Sequence, residues 1–184
     1  MKKVLYILAE LSDRDFSWLI TAGKRLRIPA GTTLIEEGKS INALYIILDG
    51  SFAVSTEALG GGEIAQLTSG EVVGEISFVD SRPPTATVTA LENSLVWAIS
   101  RGQLSAKLLQ DANFAAHFYH ALAMFLADRL RVTVGRLGYS KAQHPNQDME
   151  ATTSDEDLNP DFLSSLEIAQ YRLDWLLNRL NDLR

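Results

Sequence analysis

All twelve glycines lie at or before Gly138, and before Ser100 short β-branched and apolar segments alternate with them. Glycine gives turns the φ > 0 conformations that other residues resist, so a chain punctuated this way doubles back every few residues. Segments from Arg25 to Ile28, Thr32 to Ile35, Ala43 to Leu48, Ser51 to Thr56 and Glu63 to Leu67 read as strands, as do Thr85 to Ala90 and Ser94 to Ile99. Asp49-Gly50 predicts a hairpin joining the third and fourth of these, and the last two read as a further pair. Many short strands at this spacing suggest a closed or double-sheet β structure.

Helical patterns flank the strands. Ser12, with Asp15 three residues on, predicts a capped helix running to Ala22. Ser100-Arg101-Gly102-Gln103 matches a capping box for a helix through Gln110, and Asp111 can cap a longer one from Ala112 to about Leu137. That longer helix repeats Phe114, Phe118, Leu122, Phe125, Leu126, Leu130, Val134 and Leu137, a face wide enough to pack on a β core and on a second protomer. The stretch from Ser140 to Pro160 is polar, acidic and aperiodic and reads as a linker. From Asp161 to Arg184, Phe162, Leu166, Ala169, Leu173, Leu176, Leu180 and Leu183 alternate steps of four and three, a heptad seam. This helix either packs back on its own domain or forms a coiled-coil contact with a partner. The expected division is thus 1–138 as a β domain with its long helix, 139–160 as linker and 161–184 as an amphipathic helix.

Charge and composition narrow the function. Residues 140–184 carry nine acids and four bases, and the net charge of −6 resides almost wholly there. Phosphate neutralisation dominates nucleic-acid binding, so that part is a poor nucleic-acid contact. The chain has no cysteine, which excludes disulfides, thiolate catalysis and cysteine-bound zinc. The apolar run from Val4 to Ala9 is too short for a signal peptide, and no stretch approaches a membrane span. A cytoplasmic protein without membrane contact is expected. His117 and His120 stand three apart, but no further ligand is fixed nearby and no predicted strand contains a histidine. Neither a metal site, a cupin-like metalloenzyme nor a Ser-His-Asp arrangement can be assembled, so no catalytic residue and no cofactor are expected.

The chemistry concentrates between Gly70 and Ala90. Gly74 permits close approach of the backbone, and Glu75 places a carboxylate beside it. Ile76-Ser77-Phe78 can open a helical turn, whose free N–H groups attract an anion. Thr85 and Thr87 add hydroxyl donors at the head of the next strand. An anion site beside a carboxylate suits a sugar phosphate: N–H groups take the phosphate and the carboxylate accepts from ribose hydroxyls.

The order of short strands, Gly-Glu at 74–75, Thr85-Ala86-Thr87-Val88 and a long helix resembles the cyclic nucleotide-binding domain, from about Ser12 to Gly138. Gly74 to Val88 looks like that family's phosphate-binding cassette, and Arg129-Leu130-Arg131-Val132-Thr133 looks like the dimerisation helix of catabolite-activator-type regulators. The resemblance implies a mainly β fold: an eight-stranded antiparallel β-roll (a double-stranded jelly roll) with flanking helices and a long C-helix, to which the spacing beyond Gly138 adds a separate C-terminal heptad helix. It implies Glu75 on the ribose 2′-hydroxyl, the N–H groups of Ile76 and Ser77 and Thr85 at the phosphate, and Thr133 where some bacterial members contact the base, with Gly74 part of the same ligand-binding set. Cyclic AMP or cyclic GMP would be the ligand.

One position departs from the family. The pattern ends Pro-Arg-x-Ala, with the arginine on the cyclic phosphate, whereas this chain reads Pro83-Pro84-Thr85-Ala86. Proline offers neither charge nor donor. A charge-assisted hydrogen bond contributes about 1.5–3 kcal/mol, so its loss weakens binding roughly ten- to a hundredfold. Arg82, shifted by roughly 6 Å along an extended chain, is the nearest substitute cation. Two functional readings follow: a cyclic-nucleotide sensor signalling through helix rearrangement, or an interaction scaffold with a degenerate pocket, including an accessory relative of a transcription regulator. A homodimer through residues 112–137 is expected, with 161–184 as a second contact if that helix forms a coiled coil instead of packing back. The residues after Gly138 show no helix-turn-helix pattern, so direct DNA binding is not expected.

Overall fold

The computed structural model describes residues 4–141 and 160–181. The expected linker lies almost wholly outside these residues. Two short helices, α1 (Val4–Glu10) and α2 (Asp13–Ala22), lead into eight strands. These are β1 (Gly23–Ile28), β2 (Thr33–Ile35), β3 (Ala43–Asp49), β4 (Ser51–Ser55), β5 (Glu63–Thr68), β6 (Val72–Val73), β7 (Thr87–Ala90) and β8 (Ser94–Ser100), with α3 (Ile76–Val79) between β6 and β7. Then come α4 (Arg101–Gln110), α5 (Ala112–Lys141) and α6 (Pro160–Asn181). The strands form two antiparallel four-stranded sheets, ordered β1-β8-β3-β6 and β2-β7-β4-β5. This is the expected β-roll.

Two of the expected strand pairings are corrected. Residues Ser51–Ser55 pair with β5 and β7, not with β3, and β8 pairs with β1 and β3, not with β7. Gly50 does adopt positive φ, at 92°, but the turn carries the chain from one sheet to the other. A roll closes by such changes of sheet, so neighbours in sequence face one another across the core instead of sharing a ladder.

The core includes Leu44, Ile46, Ile47, Phe52, Val72 and Val96, all fully buried. The three predicted caps form where expected: Ser12 and Asp15 make a complete capping box on α2, Ser100 Oγ accepts from Gln103 N at 3.3 Å on α4, and the Asp111 carboxylate accepts from Phe114 N at 3.0 Å on α5. Lys107, 2.8 Å from Asp111, is the main reason that carboxyl is held down at about 2. Burial works to raise the Asp15 carboxyl, but hydrogen bonds from Ser12 and His117 outweigh it and hold it low.

The wide apolar face of α5 divides in two. Phe114, Phe118, Leu122 and Phe125 are buried, whereas Leu130 and Val134 are 63% and 57% exposed. The buried half packs on α1, an element absent from the sequence reading, whose Val4, Ile7 and Leu8 are fully buried. On α1 lies α6, with Ala169 and Leu173 fully buried, and Leu166 and Ala9 packing on Phe125. Of the two readings left open for the heptad helix, the described residues show it folded back on its own chain. Trp175 of α6 meets Phe16 edge-on, ring centroids 5.9 Å apart.

Candidate functional site

The segment after β6 is shaped by one backbone requirement. Gly74 has φ +90°, and a Cβ there would stand 2.8 Å from Ile41 Cδ1 and 3.0 Å from the Ala43 carbonyl. Only glycine fits both the conformation and the space. The turn delivers Glu75 into the interior, 2% exposed, with Ser77 beside it at 4%. The α3 turn closes with Phe78 N donating to Glu75 O (3.0 Å) and Asp80 N to Ile76 O (3.2 Å). Phe78 is buried and lies beneath the Arg101 guanidinium, 4.9 Å from its ring centroid.

The opposite wall is braced from the β2–β3 turn. Gly38 N donates to Pro84 O at 2.9 Å, and Glu37 N donates to Thr87 Oγ1 at 3.1 Å. The Glu37 carboxylate in turn accepts from Glu57 N at 2.9 Å and Thr56 Oγ1 at 3.3 Å. Pro84, although it lacks a donor, is thus anchored through its carbonyl.

Between the walls is a cavity of about 100 Å³. Its floor is apolar, from Ile35, Val54, Leu67 and Val88, and its polar rim is Glu75, Ser77, Thr85 and Arg129. Of the residues singled out from the sequence, Gly74, Glu75, Ile76, Ser77 and Thr85 line this cavity together. Arg82 and Thr133 do not. The Arg82 side chain is 83% exposed, its Nε 3.7 Å from Asp80 Oδ2, while its backbone N donates to Asp80 Oδ1 at 3.0 Å. Thr133 is exposed one turn beyond Arg129, its hydroxyl donating to Arg129 O at 2.8 Å.

Arg129 is the site residue that the sequence reading did not assign. It extends from α5 to an ion pair with Glu75, its guanidinium over the Phe125 ring at 5.0 Å. The signal was indirect. A carboxylate buried beside an apolar floor requires a cation, and Arg129 stands four residues after Phe125, on the buried face of α5. Nothing local to Glu75 names that partner. The pair joins the cavity to the long helix by a charge-assisted hydrogen bond.

Comparison with known proteins agrees with this geometry. Residues 25–111 match the family model described as the cyclic nucleotide-binding domain. The catabolite activator protein of Thermus thermophilus superposes with a TM-score of 0.61 at 26% identity, covering 73% of this chain and 62% of that one. A cyclic nucleotide-binding domain from Methylobacillus flagellatus gives 0.66 at 21% identity, covering 80% and 85%, a likeness of fold. The cAMP-dependent protein kinase regulatory subunit of Candida albicans is 33% identical over 99 residues, 54% of this chain and 21% of that protein. The chain spans a small part of the curated relatives it matches, 16% in the case of an NTE family protein of Mycobacterium tuberculosis. The fold is therefore that of a catabolite-activator-like β-roll, with a cavity against its long helix. Over residues 25–111 the chain is thus similar to the cyclic nucleotide-binding domain family. Among the described residues no helix is long and apolar enough to cross a membrane.

Proposed function

We propose that this chain is a regulatory, non-catalytic sensor module that binds a cyclic nucleotide and signals by repositioning α5. The observation that carries this reading is the Glu75–Arg129 pair, which ties the ligand segment to the long helix. A ligand whose ribose hydroxyls donate to Glu75 competes with Arg129 for the same carboxylate. The phosphate would rest on the N–H groups of Ile76 and Ser77, which lack partners within α3 as the first of any helix do, and on the Thr85 hydroxyl. Small-molecule sites measure roughly 300–1,000 Å³, so a cavity of about 100 Å³ must widen to admit a nucleotide. Arg129 lies on its wall, and entry therefore requires α5 or its arginine to shift. A ligand that binds only the widened arrangement moves the population toward it.

Arg82, or Arg129 once released from Glu75, would supply the cation that Pro84 cannot. The exposed Leu130 and Val134 support a dimer through α5. Calorimetry with cyclic AMP and cyclic GMP tests the reading, using wild type, Glu75→Ala, Arg82→Ala and Arg129→Gln. Binding by wild type and its loss in Glu75→Ala is the expected result. Silence of the wild type toward both nucleotides would favour the second reading, a scaffold with a degenerate pocket, which Pro84 and the narrow cavity support.

A further inference from the structure

Arg172 lies on α6, far in sequence from the cavity, yet it is among the most heavily partnered side chains of the molecule. It is 8% exposed. Nη1 donates to the carbonyls of Leu8 (2.5 Å) and Leu11 (2.6 Å), and Nη2 to Asp13 Oδ1 (2.6 Å). The Phe16 ring lies 5.5 Å below the guanidinium. The last carbonyls of a helix have no partners within it. Arg172 thus acts as the C-terminal cap of α1, supplied by a helix at the other end of the chain. A cation at a helix C-terminus also complements its dipole.

The other end of α1 meets the ligand segment. Val4 N, an orphan donor in the first turn, gives its hydrogen bond to Gly70 O at 2.8 Å. Gly70 N donates to Ile47 O at 2.8 Å, and Ile47 N to Glu71 O at 2.9 Å. Gly70, at φ +88°, is where the chain leaves β5 for the stretch that ends at Gly74 and Glu75. One short buried helix is therefore pinned at its C-terminus by Arg172 and at its N-terminus to the root of the ligand segment. A seven-residue helix is too short to hold together alone, so its position depends on these two ends and on the side chains packed around it.

We propose that Arg172 is a positioning residue for the ligand segment: by capping α1 it fixes the helix whose other end holds Gly70, so that docking of α6 and the shape of the cavity are coupled. The ligand-binding role of the segment rests on the function proposed above; the mechanical coupling does not. Its test is read without nucleotide, so its failure is distinguishable from a failure to bind.

The experiment is hydrogen exchange, read by mass spectrometry on the full chain, comparing wild type with Arg172→Met, Arg172→Lys and Val4→Pro. Methionine keeps the apolar stem and removes every donor. Lysine keeps the charge but not the planar fork that spans two carbonyls and a carboxylate. Proline is tolerated in a first helical turn and removes the donor to Gly70 while leaving Arg172 in place. Arg172→Met is expected to speed exchange in peptides covering 4–11 and 70–78 by about tenfold or more, with β1 and β8 at wild-type rates. Arg172→Lys should fall between, and Val4→Pro should loosen 70–78 with α6 still docked. Faster exchange confined to α1 and α6, or spread equally over β1 and β8, would overturn the proposal. If Arg172→Met does not fold, the Lys and Pro variants decide it by the same peptides.

Discussion

Arg129 and Arg172 both leave a long helix to reach a distant part of the chain, but the chemistry they reach differs. Arg129 meets a carboxylate on the wall of a cavity and keeps 31% of its side chain exposed. Arg172 meets two backbone carbonyls in the interior as well as the exposed Asp13 carboxylate, with only 10% of its own side chain exposed. A carboxylate can be given up to a ligand hydroxyl or to a proton, whereas a helix-end carbonyl has no such alternative once buried. The first contact is exchangeable and suits a signal. The second belongs to the frame that holds the fold in place.

The comparison breaks or sharpens under substitution. Arg172→Met strands two buried carbonyls and should cost about 3–5 kcal/mol in a denaturant titration. If it costs no more than Arg129→Gln, the frame and the signal are not distinct. Gly74→Ala forces a left-handed φ on alanine and crowds Ile41, and should cost about 1–3 kcal/mol; a neutral result would show that the turn can rearrange. Arg129→Gln should cost about 1–2 kcal/mol, since the buried Glu75 loses its cation but the partly exposed site can admit water. The same variant should also change cyclic-nucleotide affinity, where Arg172→Lys acts only through the segment's position.

The smallest effect concerns pH and a surface that neither arginine touches. Asp111 has its carboxyl held at about 2 in the folded chain, below its usual 3.8. A depressed carboxyl stabilises the fold above 3.8 and loses that contribution as pH falls through about 2. Asp111→Asn should therefore flatten the acid limb of a melting-temperature profile between these values and leave its slope above pH 5 unchanged. An unaltered acid limb would mean that the Lys107 contact also persists in the unfolded chain.

What could be read from the sequence was local. Ser12 with Asp15, Ser100 with Gln103, and Asp111 announce helix starts because each cap bonds within three residues. Gly74-Glu75 and Thr85 were legible for the same reason: the turn, the carboxylate and the strand head lie within one short stretch. Strand partners were not. Asp49-Gly50 correctly signalled a positive φ, yet the same signal serves a hairpin and a change of sheet. Residues Val4–Glu10 escaped because the apolar run from Val4 to Ala9 carries no polar position to set a helical period. The two arginines escaped for a related reason, since their partners are separated from them by most of a domain and only packing brings them together.

The edge-on contact of Trp175 with Phe16 has an experimental consequence. The chain holds three tryptophans and no cysteine, so fluorescence can be assigned to stations and any introduced thiol is unique. Trp97 sits in the sheet, its indole N–H on Leu19 O at 3.4 Å, and Trp18 packs on Phe114 at the start of α5. Trp175 rides on α6. With Trp18 and Trp97 replaced by phenylalanine, emission from Trp175 becomes an optical gauge of whether the last helix is seated, readable in real time while nucleotide is added.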